Sequence, residues 1–434
     1  MRKNIAPVFF VLFFPLCAQA QEDETKPNIE LVKYELKNPP VIGKHNGVTI
    51  REGGISGMQY IPGSPNEFYL ISDRGPNAGA NNANAGKETI LYPFPNYAPK
   101  IFRARAKGNS LQISKTLPLK KIDGTPANGI PNPLGFGNSG EVAWVDTNKT
   151  PAAADQWGID SESIAVDANG DFWIGDEYGP SIWRVDGKTG QMIKRYTPFG
   201  AAEYEVAIDS VFAKRRPNRG FEGIASTPSG KIYAILQAPI NNPDKTAGEA
   251  SRLHRILEID PQTNATRMFV YVHEDPTANI KNKDWSVGDM TAVNDTEFLV
   301  IEHAHKNGEN VKKIFRIDLS QATPITREDF NGKTLEQLEN AENCKANGVV
   351  PVEKKLYIDL MAHGWDPAHK KPEGLTLVND NTIIVINDND FGVDSPEGNG
   401  LLVSTGAKTV LYQFTGSRCM ALNFVPPGGK AAAK

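Results

Sequence analysis

The chain has 434 residues, 39% of them apolar and 23% charged, which is the composition of a globular protein with a sizeable hydrophobic core. The formal net charge is −4, so the chain lacks the strong basic character that nucleic acids and anionic membranes attract. We therefore expect no nucleic-acid partner.

The N-terminus has the pattern of a secretory signal peptide. Arg2 and Lys3 precede an apolar run at Pro7–Phe14, and a stretch of small residues ends at Ala20. A transmembrane anchor is the alternative, but this run is too short to span a bilayer, and no later segment is long and apolar enough. We predict a signal peptide at residues 1–20, cleaved after Ala20, no transmembrane segment, and a periplasmic or secreted protein.

The mature chain is predicted to be one domain followed by a short tail. The domain covers residues 21–425, and residues 426–434, rich in Pro, Gly, Ala and Lys, are predicted to be disordered. Two cysteines remain after cleavage, Cys344 and Cys419. In an oxidising compartment an even pair favours one disulfide between them, and two separate buried thiols are the alternative.

A β-hairpin pattern recurs along the chain. Each copy has a polar anchor, a short apolar strand, a turn rich in Gly, Asn, Asp, Pro or Ser, a second apolar strand and a polar end. The copies are Ile55–Asn77, Asp160–Pro180, Phe221–Pro239, Val287–His305 and Pro372–Asp390. Two further strand patterns follow several of the hairpins, and helical periodicity is weak throughout.

Repeated groups of four short antiparallel strands predict an all-β fold, namely a β-propeller of five or six blades. The strand patterns Ile29–Leu36 and Thr409–Phe414 are candidates to complete a blade or close the ring. The Gly-, Asn- and Pro-rich insertions at 75–99 and 128–140 are predicted to be long loops over one mouth of the channel. A β-sandwich is the alternative, but it does not explain why every unit has polar residues at the same places.

Carboxylates recur where the first strand of each hairpin begins and the second ends, and antiparallel strands bring these two positions side by side. In a propeller they would all lie at one mouth of the channel. Like charges held a few Å apart either bind protons or recruit cations. The candidate metal ligands are Asp73, Glu162, Asp176, Glu222, Asp289, Glu302, Glu373 and Asp388, with Glu177 as the alternative to Asp176.

Ca²⁺ is the cation that this set favours, because it takes oxygen ligands in flexible geometry and is available outside the cytoplasm. No spacing of Cys and His indicates zinc. The alternative for the set is structural hydrogen bonding between blades, or solvation at strand ends.

Further side chains near the same positions are candidates for chemistry. Glu162, Glu177 and His303 are candidate catalytic residues, because a carboxylate or an imidazole can move protons. The candidate groups for binding an anionic substrate are Arg74, Arg219 and His305. Alternatively, Arg74 forms an ion pair with a carboxylate and His303 is an ordinary channel histidine. No serine-nucleophile elbow, phosphate loop or dinucleotide fingerprint is present.

The segments "GISGMQYI", "FYLISDRGPN", "DSESIAVDANGDFWIGDEYGPSIWRVD", "NRGFEGIA" and "PEGLTLVNDNTIIVINDND" resemble the bacterial family called esterase-like activity of phytase, from about Gly54 to Phe414. The resemblance implies a secreted or periplasmic propeller-like protein that hydrolyses phosphate or carboxylic esters, with Ca²⁺ as a cofactor. The third unit departs from the acidic pattern because Gln237 stands at its second position, which indicates an asymmetric site.

Together these features predict a periplasmic or secreted Ca²⁺-dependent hydrolase of a small anionic ester, such as a phosphoester. One alternative is a lactonase or carboxylesterase on a propeller. The other is a non-catalytic envelope protein that binds a ligand or a protein.

Overall fold

A computed structural model describes residues 28–83, 88–200, 202–416 and 422–428. The predicted signal peptide and the last six residues of the predicted tail lie outside these ranges. Within them the protein is all-β, as predicted, and consists of sheets of mostly antiparallel strands with a few short helices. None of the helices in these ranges is long and apolar enough to cross a membrane.

The strands follow one another along the whole described chain. The first group contains β1 (Glu30–Leu36), β2 (Val41–His45), β3 (Val48–Arg51), β4 (Ile55–Tyr60), β5 (Glu67–Ser72), β6 (Ala78–Gly79), β7 (Thr89–Leu91), β8 (Lys100–Lys107), β9 (Ser110–Pro118) and β10 (Val142–Trp144). The second contains β11 (Ser161–Val166), β12 (Phe172–Asp176), β13 (Ile182–Val185), β14 (Met192–Thr197), β15 (Glu205–Ala207), β16 (Phe221–Ser226), β17 (Ile232–Leu236), β18 (Leu253–Ile259) and β19 (Thr266–Val272). The third contains β20 (Ser286–Ala292), β21 (Glu297–Lys306), β22 (Glu309–Asp318), β23 (Glu353–Asp359), β24 (Lys371–Asn379), β25 (Thr382–Asp388), β26 (Val393–Asp394), β27 (Val403–Ser404) and β28 (Val410–Thr415).

The helices are short and lie in connections between strands. The α-helices are α1 (Lys245–Ala250) and α2 (Ala341–Ala346). The 3₁₀ segments are Asn81–Ala83, Ser210–Lys214, Asn282–Asp284, Glu336–Leu338, Met361–His363 and Asp390–Gly392.

The strands form units of four, each ordered first to fourth across its sheet. Three units are β11-β12-β13-β14, β16-β17-β18-β19 and β20-β21-β22-β23. An eight-stranded sheet contains two more, β4-β5-β8-β9 and β24-β25-β28-β1, joined by a short parallel pairing of β1 with β9. The N-terminal strand β1 therefore completes the unit formed by the end of the chain, by antiparallel pairing with β28. We number the units one to five by their first strands β4, β11, β16, β20 and β24.

The turn of the second hairpin illustrates how local sequence sets the strand ends. The backbone N–H groups of Asn169 and Asp171 donate to the Asp167 carboxylate, at 2.8 and 3.1 Å. Gly170 follows at φ +85°, a conformation that glycine adopts without steric cost. This turn connects β11 and β12, whose side chains are almost all buried, so both strands lie inside the protein.

The first strands pack against one another at the centre of the molecule. Each contacts the first strand of the next unit, and β24 contacts β4. Every first strand also has a β-bulge near its start, so that one extra residue lies opposite the second strand. In the third unit the extra residue is Glu222, followed by Gly223. The bulges set which side chains of the first strands project from the pairing, and so position the site described below.

Glycines after the bulges allow this close packing. A Cβ on Gly223 would lie 2.6 Å from the backbone nitrogen of Met290, in the first strand of the next unit. We expect Gly223→Ala to destabilise the protein by about 1–3 kcal/mol, because backbone cannot move aside as a flexible side chain can. Gly79→Ala is the control, because a Cβ there meets nothing within 4 Å. Urea unfolding of both variants would test this, and equal midpoints would contradict the close approach.

Cys344 corrects the prediction of a disulfide with Cys419. Its side chain is a free thiol, fully buried among apolar residues of the largest core cluster. Burial raises the pKa of the Cys344 thiol to about 12, which makes it inert as a nucleophile. Cys419 lies outside the described residues. The number and spacing of the cysteines do not indicate whether they are buried. A thiol enclosed in the core, as Cys344 is, is not available for a crosslink at the surface.

Candidate functional site

The strand register defines two equivalent positions in each unit. The first is the first unpaired residue at the bulge of the first strand, and across the units it is Ser56, Glu162, Glu222, Gly288 and Glu373. The second comes at or just after the end of the paired region in the second strand, and it is Asp73, Glu177, Gln237, His303 and Asp388. The predicted pairing of these positions is therefore present, with a shift of one residue in the fourth unit.

Most of the acidic residues at these positions form one buried group. Electrostatic interactions link them to one another and to Asp160, which precedes the bulge of the second unit. Each is at most 8% exposed. We call this set the acid cluster, and its members are Asp73, Asp160, Glu162, Glu177, Glu222, Glu373 and Asp388.

The tightest part of the acid cluster is in the second unit. One carboxylate oxygen from each of Asp160, Glu162 and Glu177 lies within 4.8 Å of the other two. Buried oxygens of Glu177, Glu222 and Glu373 have no hydrogen-bond partner among the described residues. Buried carboxylate oxygens without donors are costly unless a cation or a proton satisfies them. The donor set is all oxygen, which fits a hard cation such as Ca²⁺.

Burial and mutual repulsion both make the charged forms unfavourable. Burial and then the Asp160 carboxylate raise the pKa of Glu177 to about 8, against the opposing effect of Arg219. The pKa values of Glu162 and Glu373 are well above the ordinary range, first because of burial and then because of neighbouring carboxylates. Without a cation the cluster therefore holds protons at neutral pH.

Two cations next to the acid cluster are already paired with acids. Arg74 contacts Glu141 at 3.0 Å and Asp160 at 3.5 Å, and the ring of Tyr178 lies beside it. Lys371 donates to Asp388 and to Asp390, each at 2.7 Å. These ion pairs hold the first and fifth units of the site in place.

Arg219 is arranged differently. Its guanidinium donates to the side-chain oxygen of Gln237, whose amide nitrogen donates at 2.6 Å to Glu222. Gln237, which stands where other units have a carboxylate, thus links Arg219 to Glu222 of the acid cluster through its neutral amide.

Three of the predicted ligands lie in other surroundings. Asp176 accepts hydrogen bonds from the backbone of Asp160 and Tyr178 and from the Ser181 hydroxyl, at 2.7–3.1 Å. Asp289 accepts from the backbone N–H of Met290 and Leu375, both at 2.7 Å, and so ties the fourth unit to the fifth.

Glu302 is also separate from the acid cluster. It accepts hydrogen bonds from the Tyr271 hydroxyl and the Lys354 ammonium, on the side of the fourth unit that faces the third. Adjacent side chains of a strand project to opposite faces of the sheet. His303, the next residue, stands at the second position of the fourth unit, so the Glu302 side chain projects away from it.

The predicted histidines differ in their surroundings. His303 has a buried Nε2 without a hydrogen-bond partner among the described residues, and burial lowers its pKa to about 3, so the ring is neutral at pH 7. A Cβ on Gly288 would lie 2.4 Å from the Pro372 carbonyl oxygen and 3.4 Å from the His303 ring, so His303 packs beside this glycine. His305 is two residues further along β21 and is exposed.

The insertions predicted to cover the mouth contribute residues that sequence reasoning missed. The Tyr92 hydroxyl contacts Glu141 at 3.1 Å and Tyr178 at 3.0 Å, beside Arg74. Strands β6 and β7 of the first insertion form a separate three-stranded sheet with β10, which directly follows the second insertion. Glu141 is recognised as a site residue only by its ion pair with Arg74, and a single sequence gives no sign of this contact.

An open cleft of about 690 Å³ reaches the edge of the acid cluster. Asp73, Lys371, Asp388 and Asp390 lie on its wall, and the rest of its lining comes from residues within 77–79, 368–370, 387–394 and 405–408. A small polar molecule can approach the carboxylates from this side.

An all-β fold whose repeated units bring buried carboxylates together at their centre defines the class of this protein. The chain belongs to the phytase-like family, described as esterase-like activity of phytase, which matches residues 50–391. The resemblance found in the sequence is thereby confirmed.

Other known proteins are more distant. An uncharacterized secreted protein of the fungus Arthroderma benhamiae is 22% identical over 302 residues, which are 57% of this chain and 57% of the relative. This chain thus matches little more than half the length of that curated relative.

Solved structures resemble the chain only loosely. A luciferin-regenerating enzyme has TM-score 0.35 and 12% identity, with 87% of this chain and 81% of the other covered. Virginiamycin B lyase of Staphylococcus aureus has TM-score 0.30 and 11% identity, with coverage of 89% and 99%. A protein of unknown function from Dyadobacter fermentans has TM-score 0.37 and 11% identity, with coverage of 90% and 99%. We take no functional feature from these structures.

Proposed function

We propose that the protein is a periplasmic or secreted Ca²⁺-dependent hydrolase of a small anionic ester, with the acid cluster as its active centre. The observation that carries the proposal is the approach of three buried carboxylates, Asp160, Glu162 and Glu177, within 4.8 Å of one another. Family membership supports ester hydrolysis as the reaction class. The secreted relative and the signal-peptide pattern support the location.

We also propose that the five units are the blades of a five-bladed propeller with the acid cluster at one mouth of its channel. The contact of each first strand with the next, and of β24 with β4, supports this arrangement. Completion of the fifth unit by β1 would join the two ends of the domain, as is common where a propeller closes.

Asp160, Glu162 and Glu177 would hold the cation, and Glu222 and Glu373 add unpartnered oxygens nearby. When bound, Ca²⁺ supplies Lewis-acid polarisation of the ester and lowers the pKa of a coordinated water. Arg74 keeps Asp160 oriented, because its backbone N–H donates to that carboxylate at 3.1 Å while its side chain pairs with Glu141. The ring of His303 is neutral at pH 7, and with a pKa of about 3 it is too weak a base to accept a proton efficiently at that pH, so we assign it to hydrogen bonding with the substrate.

The test is calorimetric titration of calcium into chelator-stripped mature protein, with parallel assays against a phosphomonoester, a phosphodiester and a carboxylic ester. We expect stoichiometric binding and calcium-dependent turnover of at least one ester. Calcium binding without turnover of any ester would contradict the hydrolase proposal and indicate a calcium-binding protein without this activity. Absence of both would return the acid cluster to a structural role and favour a ligand-binding envelope protein.

A further inference from the structure

Two positively charged side chains near the acid cluster pair with neutral groups instead of acids. Arg74 and Lys371 form ion pairs, but Arg219 and Lys312 make none with an acidic group of the described residues. The hydrogen bond of Arg219 goes to the Gln237 amide oxygen, as described above. These two cations belong to the third and fourth units, on the side where Gln237 and His303 replace carboxylates.

Lys312 is the less expected of the two. It lies on β22, directly opposite His303 of β21, so the two side chains share one face of the sheet. The residue is fully buried, and its ammonium donates to the side-chain oxygen of Asn310. Burial lowers the pKa of Lys312 to about 8, so it still carries a proton at pH 7 at an energetic cost. A buried ammonium without an acid to compensate it favours an anion nearby.

His303 connects the two cations. Its Nε2 has no partner among the described residues, and the charges of Lys312, Arg219 and Lys371 all act on its ring. Gln237, the partner of Arg219, is joined to the fourth unit by a 3.0 Å hydrogen bond from the Val287 N–H to its carbonyl. Arg219 and His303 thus belong to neighbouring positions of the central site.

We propose that Arg219, His303 and Lys312 form an anion subsite that takes a phosphoryl group of the substrate. Arg219 and His303, both partly exposed, would donate to its oxygens, and buried Lys312 would contribute its charge from the neighbouring strand, where it is paired with His303. A guanidinium that can bind in a bidentate manner, together with an imidazole N–H, suits a tetrahedral group with several oxygens better than a carboxylate. This inference deepens the proposed function, because it specifies a phosphoester as the substrate.

The charge balance of the site supports this assignment. Burial and neighbouring carboxylates raise the pKa values of Glu177 and Glu222, and the Arg219 charge opposes part of that rise. A cation bound by the acid cluster would compensate these carboxylates and leave Arg219 available for an external anion. Metal and phosphoryl group would then lie on adjacent sides of the same centre.

The experiment is calorimetric titration of inorganic phosphate into the mature protein, both chelator-stripped and after calcium loading and desalting. We expect saturable binding that Arg219→Gln and Lys312→Met each weaken by about tenfold or more, as loss of a charge-assisted contact implies. Lys313→Met is the matched control. Its side chain projects from the other face of β22 and pairs with Glu274 at 3.2 Å, so it should leave phosphate affinity unchanged.

Each outcome bears on the proposal. No phosphate binding by the wild-type protein in either state would overturn it, even if Lys312→Met failed to fold. Equal weakening by Lys313→Met would show a general charge effect and would also overturn it. Acetate is the competing probe, and tighter binding of acetate than phosphate would refute the phosphoryl assignment. Calcium binding without phosphate binding removes the subsite alone, whereas phosphate binding without calcium binding removes the proposed metal chemistry and keeps the subsite.

Discussion

Glu177→Gln is expected to weaken calcium binding by about a hundredfold or more and to abolish ester hydrolysis. Outer-shell partners of a metal commonly contribute 10- to 100-fold to affinity, and a direct ligand should contribute at least as much. The substitution preserves side-chain volume but replaces one carboxylate of the closest group, which includes Asp160 and Glu162, by a neutral amide. Calorimetry on the stripped variant measures the affinity, and turnover of the preferred ester at saturating calcium measures the chemistry.

Glu302→Gln is the matched control for this variant. Glu302 is also a fully buried carboxylate, and sequence spacing assigns it to the same set, but it pairs with Tyr271 and Lys354 away from the cluster. We expect its calcium affinity to equal that of the wild-type protein, with circular dichroism confirming that the variant is folded. Loss of binding in Glu302→Gln together with retention in Glu177→Gln would show that the metal ligands are assigned to the wrong residues.

The fourth unit shows where sequence reasoning about the site reached its limit. In the third and fifth units an acid precedes a glycine, as in Glu222-Gly223, and the acid is the bulged residue. In the fourth unit the order is reversed, and Gly288 occupies the bulged position before Asp289. Because the prediction chooses the nearest acidic residue, it assigns Asp289 to the position that Gly288 occupies, one residue earlier. In a strand, such a shift sends the side chain to the opposite face.

Other parts of the site were predictable from hairpin pattern alone. The anchors of the second, third and fifth units belong to the buried cluster because antiparallel pairing brings strand start and strand end together. Asp160 begins the second predicted hairpin but is not among the predicted ligands, although its position two residues before Glu162 is a spacing that keeps side chains on one side of a strand. The neutral partners of Arg219 and Lys312 are side chains of the same unit, Gln237 and Asn310, and the spacing of the acidic residues does not predict these contacts.

The charged side chains are distributed asymmetrically around the site. Carboxylates are concentrated in the first, second and fifth units, whereas the second positions of the third and fourth units are Gln237 and His303. The bulge and the close packing of first strands recur in every unit, so the scaffold is close to symmetric. Replacement of the side chains at two positions is therefore enough to give the site a strongly acidic side and a side that contains Arg219 and Lys312.

The stability of the calcium-free protein is expected to fall as pH rises from about 6.5 to 8. Burial raises the pKa of Glu177 to about 8 and those of Glu162, Glu222 and Glu373 well above normal, so the folded protein holds protons that the unfolded chain has already released. Stability falls with pH wherever the folded state binds more protons, by about 1.4 kcal/mol per pH unit for each proton, so one extra proton such as that of Glu177 corresponds to about 2 kcal/mol across this window.

The pH window is chosen to exclude the buried histidines. Burial lowers the pKa of His254 to about 4 and that of His273 further, so these rings stay neutral in the folded protein, and their contribution rises with pH only below about 6.5. Above that pH the buried carboxyls determine how the free energy of unfolding changes with pH. Denaturant unfolding at several pH values, with and without saturating calcium, measures the slope. Calcium should abolish it, because ligands that bind a metal are deprotonated throughout, and Glu177→Gln should reduce it in the stripped protein. A stripped protein whose stability is constant or rises across the window would mean that the acid cluster is already compensated within the folded chain, which would remove the electrostatic reason for a bound cation.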